Sequence, residues 1–346
     1  MDRVANHEPV ASIGSPSRSY QKNCIYVHSS RQIPLSSLVF LLSLLPAGCT
    51  KQQSPTSGIP SQVLLVATTS PVLQDFSQQI LAADNGVRLV VPNGRHSRDW
   101  RPTRTAAAEI RDAKLVILTG AGWEPWSERI SLAPSRTLDL SASIIQSLIE
   151  IPDAITHQHG PDGAHSHQGF VWTTWLSPQL LLRQLPELQS ALIKVAPDSA
   201  DQIQRESGRL RTTLQPLADL CTQLKTIVPQ KQLSIVADGP EFLYLLRDLG
   251  IEPVRIRWPL SSPADSAVLQ QIQAEAQRFS GRSPLMILND RRSKDHEKPV
   301  LESGFQILRL DDLEQTAPPR SVIERLTENV KALQALIESA PAAVQP

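Results

Sequence analysis

Short runs of apolar residues alternate with amphipathic segments along most of this chain. The run 62–67 is almost continuously apolar, and the segment 70–82 that follows it carries apolar residues at helical spacing. The same order returns at 87–91, 103–113 and 114–118. Strands that are apolar on both faces and alternate with helices are typical of parallel sheets covered by helices. We therefore predict an α/β protein that binds ligands beyond the carboxyl ends of its strands.

Two helical stretches, 177–195 and 198–226, interrupt this alternation, and the second is long and mostly polar. The alternation then resumes. Strands are predicted at 233–237, 254–258, 285–288 and 305–310, and helices at 241–249, 263–279, 298–304 and 320–339. The pattern indicates two α/β lobes, each with a mainly parallel sheet, joined by one long helix. The predicted boundaries are 61–196 for the N-terminal lobe, 197–228 for the linking helix and 229–346 for the C-terminal lobe.

The first 60 residues are predicted to direct export and to tether the protein. Basic residues precede an apolar run at 33–47, which is shorter than the roughly 20 residues of a membrane span and is typical of a secretion signal. Cys49 follows two small residues, as in bacterial lipoprotein signals in which the cysteine is lipidated. We predict a leader and signal at 1–48 and a tether at 49–60. The alternative, a buried N-terminal helix, is disfavoured by two prolines in the run.

Charge and cysteine content exclude several classes of function. The 34 Lys+Arg balance the 34 Asp+Glu, so the chain lacks the electrostatic character expected for binding nucleic acid or an anionic membrane. Its three cysteines are scattered, so any metal site would have to use histidine and carboxylate ligands. The sequence contains no nucleophile–base set, glycine-rich phosphate loop or zinc-protease motif. We therefore predict that the protein is not an enzyme.

Four of the eight histidines lie close together, at His157, His159, His165 and His167. They form two His-x-His pairs separated by a glycine-containing stretch. Such a loop can fold several imidazoles around Zn²⁺ without a preformed cage. The alternative is a solvated insertion with no role in binding. We predict that this loop binds metal, and that the metal is zinc rather than manganese because zinc accepts imidazole ligands readily.

Several spaced motifs run through residues 60–340. They are Pro-Asn-Gly to Trp-Arg-Pro-Thr (92–103), Ala-Lys-Leu-Val to Glu-Pro-Trp (113–126), the histidine-rich loop, Trp-Leu-Ser-Pro (175–178), Tyr-Leu-Leu-Arg-Asp-Leu-Gly (244–250) and Leu-Asp-Asp-Leu (310–313). In this order they resemble the periplasmic solute-binding proteins of zinc and manganese ABC importers. The resemblance implies two lobes joined by a rigid helix, a metal held in the cleft by three histidines plus a carboxylate or water, and delivery to an ABC permease and ATPase.

The histidine ligands implied by this resemblance mostly fail to match this chain. Alignment on the neighbouring motifs places Arg98, Thr173 and Gly239 at the three histidine positions, and a one-residue shift places Asp238 at the third. Asp311 alone matches the carboxylate position. Because an arginine repels a cation and does not ligate it, the family's usual cleft site is not expected in unchanged form.

Three hypotheses for the cleft follow. In the first, His96 lies close enough to replace the missing histidine ligand. In the second, Arg98 pairs with Asp311 and closes the cleft where the metal would be. In the third, the cleft holds an organic or anionic ligand, bound by Arg98, Thr68, Thr69 and Trp100.

We therefore predict an exported, lipid-anchored and monomeric zinc-binding component of an ABC importer. Its candidate metal ligands are His96, Asp311 and the four loop histidines. The alternative is a family member that has lost the cleft site and acts as a metal-buffering or structural envelope lipoprotein.

Two sequence features are assigned structural roles. Residues 291–298 are predicted to form a solvated loop and helix start. Four tryptophans are predicted to pack within the lobes: Trp123, Trp126, Trp172 and Trp175.

Overall fold

Two four-stranded parallel sheets form the framework of this protein. The computed structural model describes residues 65–82, 86–151, 169–260 and 262–343, together with the backbone of 156–158 and 164–166. All of these residues belong to one compact unit. The predicted α/β class, with parallel sheets flanked by helices and a long helix between them, is confirmed.

The N-terminal sheet has the strand order β2-β1-β3-β4. Its strands are β1 (Val66–Thr68), β2 (Val87–Leu89), β3 (Leu115–Leu118) and β4 (Thr137–Asp139), and its helices are α1 (Pro71–Leu81) and α2 (Arg104–Asp112). The central strands β1 and β3 are buried throughout, which explains their continuous apolar character. The edge strand β4 is partly exposed and was not predicted, because no apolar run marks it.

A ribbon and two long helices follow the first sheet. The ribbon pairs β5 (Thr156–Gln158) with β6 (Ala164–Ser166) in antiparallel register. The helices are α3 (Pro178–Val195) and α4 (Ala200–Ile227), so the predicted long helix is observed with nearly the predicted bounds. The predicted domain boundaries stay predictions.

The C-terminal sheet has the strand order β10-β9-β7-β8. Its strands are β7 (Ile235–Ala237), β8 (Val254–Arg255), β9 (Leu285–Asn289) and β10 (Gln306–Leu310), and its helices are α5 (Leu243–Asp248), α6 (Ser266–Arg278), α7 (Glu297–Glu302) and α8 (Val322–Ser339). None of the described helices combines the length and apolar character needed to cross a membrane.

The long helix α4 packs against α1, α3 and α8. Most of its buried residues, among them Ile203 and Leu214, belong to one hydrophobic cluster that also contains Val66 of β1 and Ile235 of β7. Contiguous packing across both sheets and the connecting helix resists relative movement of the lobes. The loops at the carboxyl ends of the two sheets are therefore held at a defined separation.

Candidate metal centre

Loops that follow strand ends in both lobes meet in a cleft. The N-terminal lobe contributes His96 from the loop after β2 and Trp123 from the loop after β3. The C-terminal lobe contributes Arg291 from the loop after β9, and Asp312 and Glu314 from the loop after β10. This is the edge at which parallel α/β sheets bind their ligands. We refer to the space bounded by these five residues as the cleft.

His96 is the histidine of the cleft, and its ring lies between aromatic side chains. Its ring centroid is 4.3 Å from that of Trp123 and 5.5 Å from that of Trp172. Its Nε2 lies 3.7 Å from Oε2 of Glu314, while its buried Nδ1 has no hydrogen-bond partner in the described part of the chain. Burial, assisted by the nearby Arg291, lowers the pKa of His96 to about 4. The imidazole is therefore neutral at neutral pH, the form that binds metals.

Three mutually packed tryptophans, two of which contact His96, connect the two lobes. Trp123 and Trp172 are stacked with ring centroids 5.4 Å apart, and Trp175 meets Trp123 edge-on at 5.6 Å. Nε1 of Trp172 donates to Oε1 of Glu314 at 3.1 Å, and Nε1 of Trp175 donates to the Asp312 carbonyl at 2.8 Å. These side chains do pack, as predicted, but they also hold the acidic loop of the other lobe against His96.

Arg291 lies between the two carboxylates of the cleft. Its Nη2 is 2.5 Å from Oδ2 of Asp312 and 2.5 Å from Oε2 of Glu314. Nδ2 of Asn289 also donates to Oδ2 of Asp312 at 2.7 Å. Burial and the neighbouring Asp312 carboxylate raise the pKa of Glu314 above its usual range. The acidic side of the cleft thus already contains a positive charge from the protein itself.

The segment 291–298 was predicted to be solvated, and this prediction was wrong at its start. Arg292 is only 3% exposed, and its Nε donates to Oδ2 of Asp238 at 2.7 Å. Its Nη2 donates to the Trp258 carbonyl at 2.8 Å, and its guanidinium carbon lies 4.1 Å from the Trp258 ring centroid. A run of charged residues in a sequence usually indicates a solvent-exposed segment. Here the ends of β7 and β9 place a buried carboxylate beside Arg292.

The predicted ion pair between Arg98 and Asp311 was also wrong. Asp311 is paired with Arg325 of α8, through Nε–Oδ2 and Nη2–Oδ1 distances of 2.6 Å each. Nδ2 of Asn329, also on α8, donates to the Asp311 carbonyl at 2.7 Å. The guanidinium of Arg98 instead lies over the Trp172 ring, 4.9 Å from its centroid. The packing of α8 beside the end of β10 supplies Asp311 with a nearer partner.

Two other substituted ligand positions, Thr173 and Gly239, are adjacent to Glu241. The Thr173 hydroxyl donates to the Glu241 carbonyl at 2.5 Å. A Cβ atom at position 239 would lie 2.1 Å from Oε2 of Glu241, so this carboxylate fills the space that a side chain would need there. Burial and the neighbouring Asp238 raise the pKa of Glu241 to about 7. Neither position supplies a nitrogen ligand.

The third hypothesis, an anionic ligand held by threonines and Arg98, gains no support from the geometry. The Thr68 hydroxyl donates to a backbone carbonyl of β2 at 3.2 Å. The Thr69 hydroxyl donates to Oε1 of Glu124 at 2.5 Å. Trp100 meets another tryptophan of the same lobe edge-on, with ring centroids 5.1 Å apart. Both hydroxyls are therefore used inside the N-terminal lobe.

The histidine-rich loop is only partly described. His157 and His165 are register partners in the backbone of the β5–β6 ribbon. His159 and His167 lie outside the described residues, as does Cys49. Metal binding by the loop and lipidation of the cysteine therefore stay predictions.

Among the residues that the structure describes, one group of three carboxylates has ligand atoms within 4.8 Å of one another: Asp290, Asp311 and Asp312. Arg325 and Arg291 already pair with the second and third of these residues. Burial, together with the other two carboxylates, raises the pKa of Asp290 to about 6. The cluster is thus largely neutralised by its own arginines.

Sequence reasoning missed Glu314, Asp312, Glu241 and Arg291. One signal was available for the first two, because both follow β10 in the same short loop as Asp311. Arg291 lies two residues after Asn289, the last residue of β9, a position from which ligand contacts are common in parallel sheets. Nothing in the sequence indicated that Glu241 would occupy the space beside Gly239.

Comparison with known proteins gives a consistent result. Residues 66–336 match the family model described as "Zinc-uptake complex component A periplasmic". The chain is 23% identical over 232 residues to the manganese-binding lipoprotein MntA of Halalkalibacterium halodurans, covering 67% of this chain and 72% of MntA. It is 26% identical over 219 residues to the high-affinity zinc uptake system protein ZnuA of Bacillus subtilis, covering 62% of this chain and 67% of ZnuA.

Solved structures show the same fold. The Zn(II)-bound ZnuA-like domain of Streptococcus pneumoniae AdcA superposes with a TM-score of 0.64 at 19% identity, covering 80% of this chain and 99% of the domain. In the structure of Zn(II)-bound AdcA, the match covers 82% of this chain and 59% of AdcA. The Mn²⁺ complex of FpvC from Pseudomonas aeruginosa gives a TM-score of 0.60 at 16% identity, covering 80% of this chain and 98% of FpvC.

Proposed function

This chain belongs to the family of the periplasmic zinc-uptake complex component A, and we propose that it captures zinc outside the cytoplasmic membrane and delivers it to a permease. Proteins of this family are metal-binding, non-enzymatic components of ABC importers, and they work with a permease and an ATPase. Its relatives include proteins named for manganese and for iron as well as zinc. The choice of zinc therefore rests on the residues of this chain.

The observation that carries the proposal is the approach of His96 to Glu314 across the cleft. Their Nε2 and Oε2 atoms are 3.7 Å apart. Two ligands bound to one tetrahedral zinc at about 2.0–2.2 Å stand roughly 3.4 Å apart, so a small movement would let both bind the same ion. A neutral imidazole and a carboxylate suit zinc, and here they come from opposite lobes. We propose His96 and Glu314 as the metal ligands that join the lobes.

The histidine-rich loop is proposed as a second, accessory zinc site. Its four imidazoles are the largest concentration of metal-ligating nitrogens in the sequence. The register pairing of positions 157 and 165 brings the two halves of the loop together and supports this assignment. We further propose that the protein is exported as a monomer and anchored through a lipid on Cys49.

Replacing His96 by alanine is expected to weaken zinc binding to the cleft by at least tenfold, because the ligand from the N-terminal lobe is lost. The measurement is calorimetric titration of the full chain with Zn²⁺. His296→Ala serves as a matched control, since the His296 ring lies beside Trp258, with centroids 5.4 Å apart, and outside the cleft. Equal zinc affinity in the wild type and the His96 variant would contradict the proposed cleft ligand.

Replacing all four loop histidines by serine is expected to remove zinc from the accessory site and leave the cleft site intact. The physical reason is that serine hydroxyls are poor zinc ligands, whereas the cleft lies on other elements. Zinc stoichiometry and affinity in calorimetry provide the measurement. A titration curve that does not differ from that of the wild type would refute a role for the loop.

A second candidate function is metal buffering without a cleft site. The observation that favours it is the position of Arg291, which already pairs with both Asp312 and Glu314. This function requires that zinc binding depends on the loop histidines and not on His96. The two titrations described above therefore separate the candidates.

A further inference from the structure

We propose that Arg291 is a tethered cation that competes with a divalent metal ion for Asp312 and Glu314, and so sets how tightly the cleft holds its cargo. The inference rests on the proposed function, because it concerns the same cleft. It assigns a role in metal affinity to a residue that ligates no metal.

The first argument is that the guanidinium and a metal would need the same oxygen atoms. Nη2 of Arg291 is 2.5 Å from Oδ2 of Asp312 and 2.5 Å from Oε2 of Glu314. The second of these oxygens is also the atom that faces Nε2 of His96 at 3.7 Å. The carboxylate oxygen best placed to share a metal with His96 is therefore the one that Arg291 holds.

The second argument concerns the charge of the two buried carboxylates. The side chains of Asp312 and Glu314 are only 1% and 3% exposed. Buried carboxylates need a compensating positive charge, which either an arginine or a metal ion can supply. If the guanidinium and a metal ion contacted the same oxygen atoms at once, the two cations would repel each other strongly. Metal binding and the Arg291 ion pairs therefore exclude each other.

The third argument is that the Arg291 side chain can move out of the cleft while the two carboxylates keep their positions. Its side chain is 18% exposed, so it has a path to solvent that its partners lack. Asp312 is also held by Nδ2 of Asn289 at 2.7 Å and by the Glu314 backbone N–H at 3.0 Å. Glu314 is also held by Nε1 of Trp172 at 3.1 Å. Removal of the guanidinium would thus leave two carboxylates still positioned beside His96.

The test compares Arg291→Gln with Arg291→Lys in the full chain, with the four loop histidines replaced by serine so that the titration reports on the cleft. We expect Arg291→Gln to bind Zn²⁺ at least tenfold more tightly than the parent protein. Arg291→Lys keeps a positive charge beside the two carboxylates, which still opposes a metal ion there, and is expected to remain within a few-fold of the parent. Adding Glu314→Gln to the Arg291→Gln variant is expected to abolish the gain.

Equal zinc affinity with arginine and glutamine at position 291 would overturn the inference, as would a gain that survives Glu314→Gln. If the affinities are equal and binding still depends on His96, the proposed function stands and only the role of Arg291 fails. If zinc binds the glutamine variant but not its parent, the tethered cation is supported and zinc capture by the natural cleft fails. A larger zinc-induced rise in Tm for the glutamine variant provides a second readout that shows it is folded.

Discussion

Replacing Arg292 by alanine is expected to lower the free energy of unfolding by about 3–5 kcal/mol. Arg292 is buried and pairs with Asp238, whose side chain is also only 1% exposed. The arginine further donates to the Trp258 carbonyl and stacks over the Trp258 ring. Its loss would leave a buried carboxylate without a counter-charge, a carbonyl without its donor and a cavity beside the tryptophan.

The measurement is urea denaturation of both proteins at neutral pH. Arg278→Ala is the control, because Arg278 makes an exposed ion pair with Glu275 at 3.4 Å, and its loss is expected to cost at most about 1 kcal/mol. If the unpaired Asp238 causes the destabilisation, adding Asp238→Asn should recover part of the loss. A decrease for Arg292→Ala no larger than that of the control would contradict the structural role of this ion pair.

The free energy of unfolding is expected to fall as pH rises from about 5 to 8, with Glu124 as a major contributor. Glu124 is 5% exposed and lies at the end of the loop that presents Trp123 to the cleft. Its carboxyl accepts from Thr69 at 2.5 Å and from the Thr119 backbone N–H at 2.9 Å. Burial raises its pKa from 4.5 to about 7, although these donors lower it.

The sign follows from the protons bound in each state. Between pH 4.5 and about 7, the folded state keeps a proton on Glu124 that the unfolded state has lost. The resulting stabilisation is complete below the unfolded pKa and is lost as pH rises through the folded pKa. The pKa shift corresponds to a loss of about 3 kcal/mol in the free energy of unfolding across this pH window.

Denaturation curves at several pH values between 4.5 and 8 provide the measurement. Glu124→Gln removes the titrating group, so its free energy of unfolding is expected to depend less on pH than that of the wild type. Leu214→Ala is the control, because this fully buried residue of α4 should lower stability without changing the pH slope. The same slope in the wild type and in Glu124→Gln would show that Glu124 does not titrate in this range.

Most of the fold could be predicted from the sequence because its elements obey local rules. The buried strands β1, β3 and β9 read as continuous apolar runs, since both of their faces are covered. The helices read as amphipathic segments, and α4 was recognisable by its length. The edge strand β4 escaped prediction because its burial comes from a single neighbour and not from its own composition.

The cleft was predictable only in its position. The strand ends placed it near His96, the family resemblance added Asp311, and His96 does lie there. Asp311, however, pairs with Arg325 of α8, and Glu314 is the carboxylate that approaches His96. The packing of α8 decides which of several neighbouring acidic residues faces the other lobe. No local sequence pattern indicates that packing.

The sequence by itself determined the α/β class, the long connecting helix and the family motifs, because periodicity and spacing are properties of neighbouring residues. The tertiary structure alone decided how the charges are paired. Arg291 and Arg292 are adjacent in a polar segment, yet one pairs with the two cleft carboxylates and the other with the buried Asp238. The physical reason is that a buried charge is stabilised by whichever opposite charge the fold places beside it, and those partners are 21 to 54 residues apart in the chain.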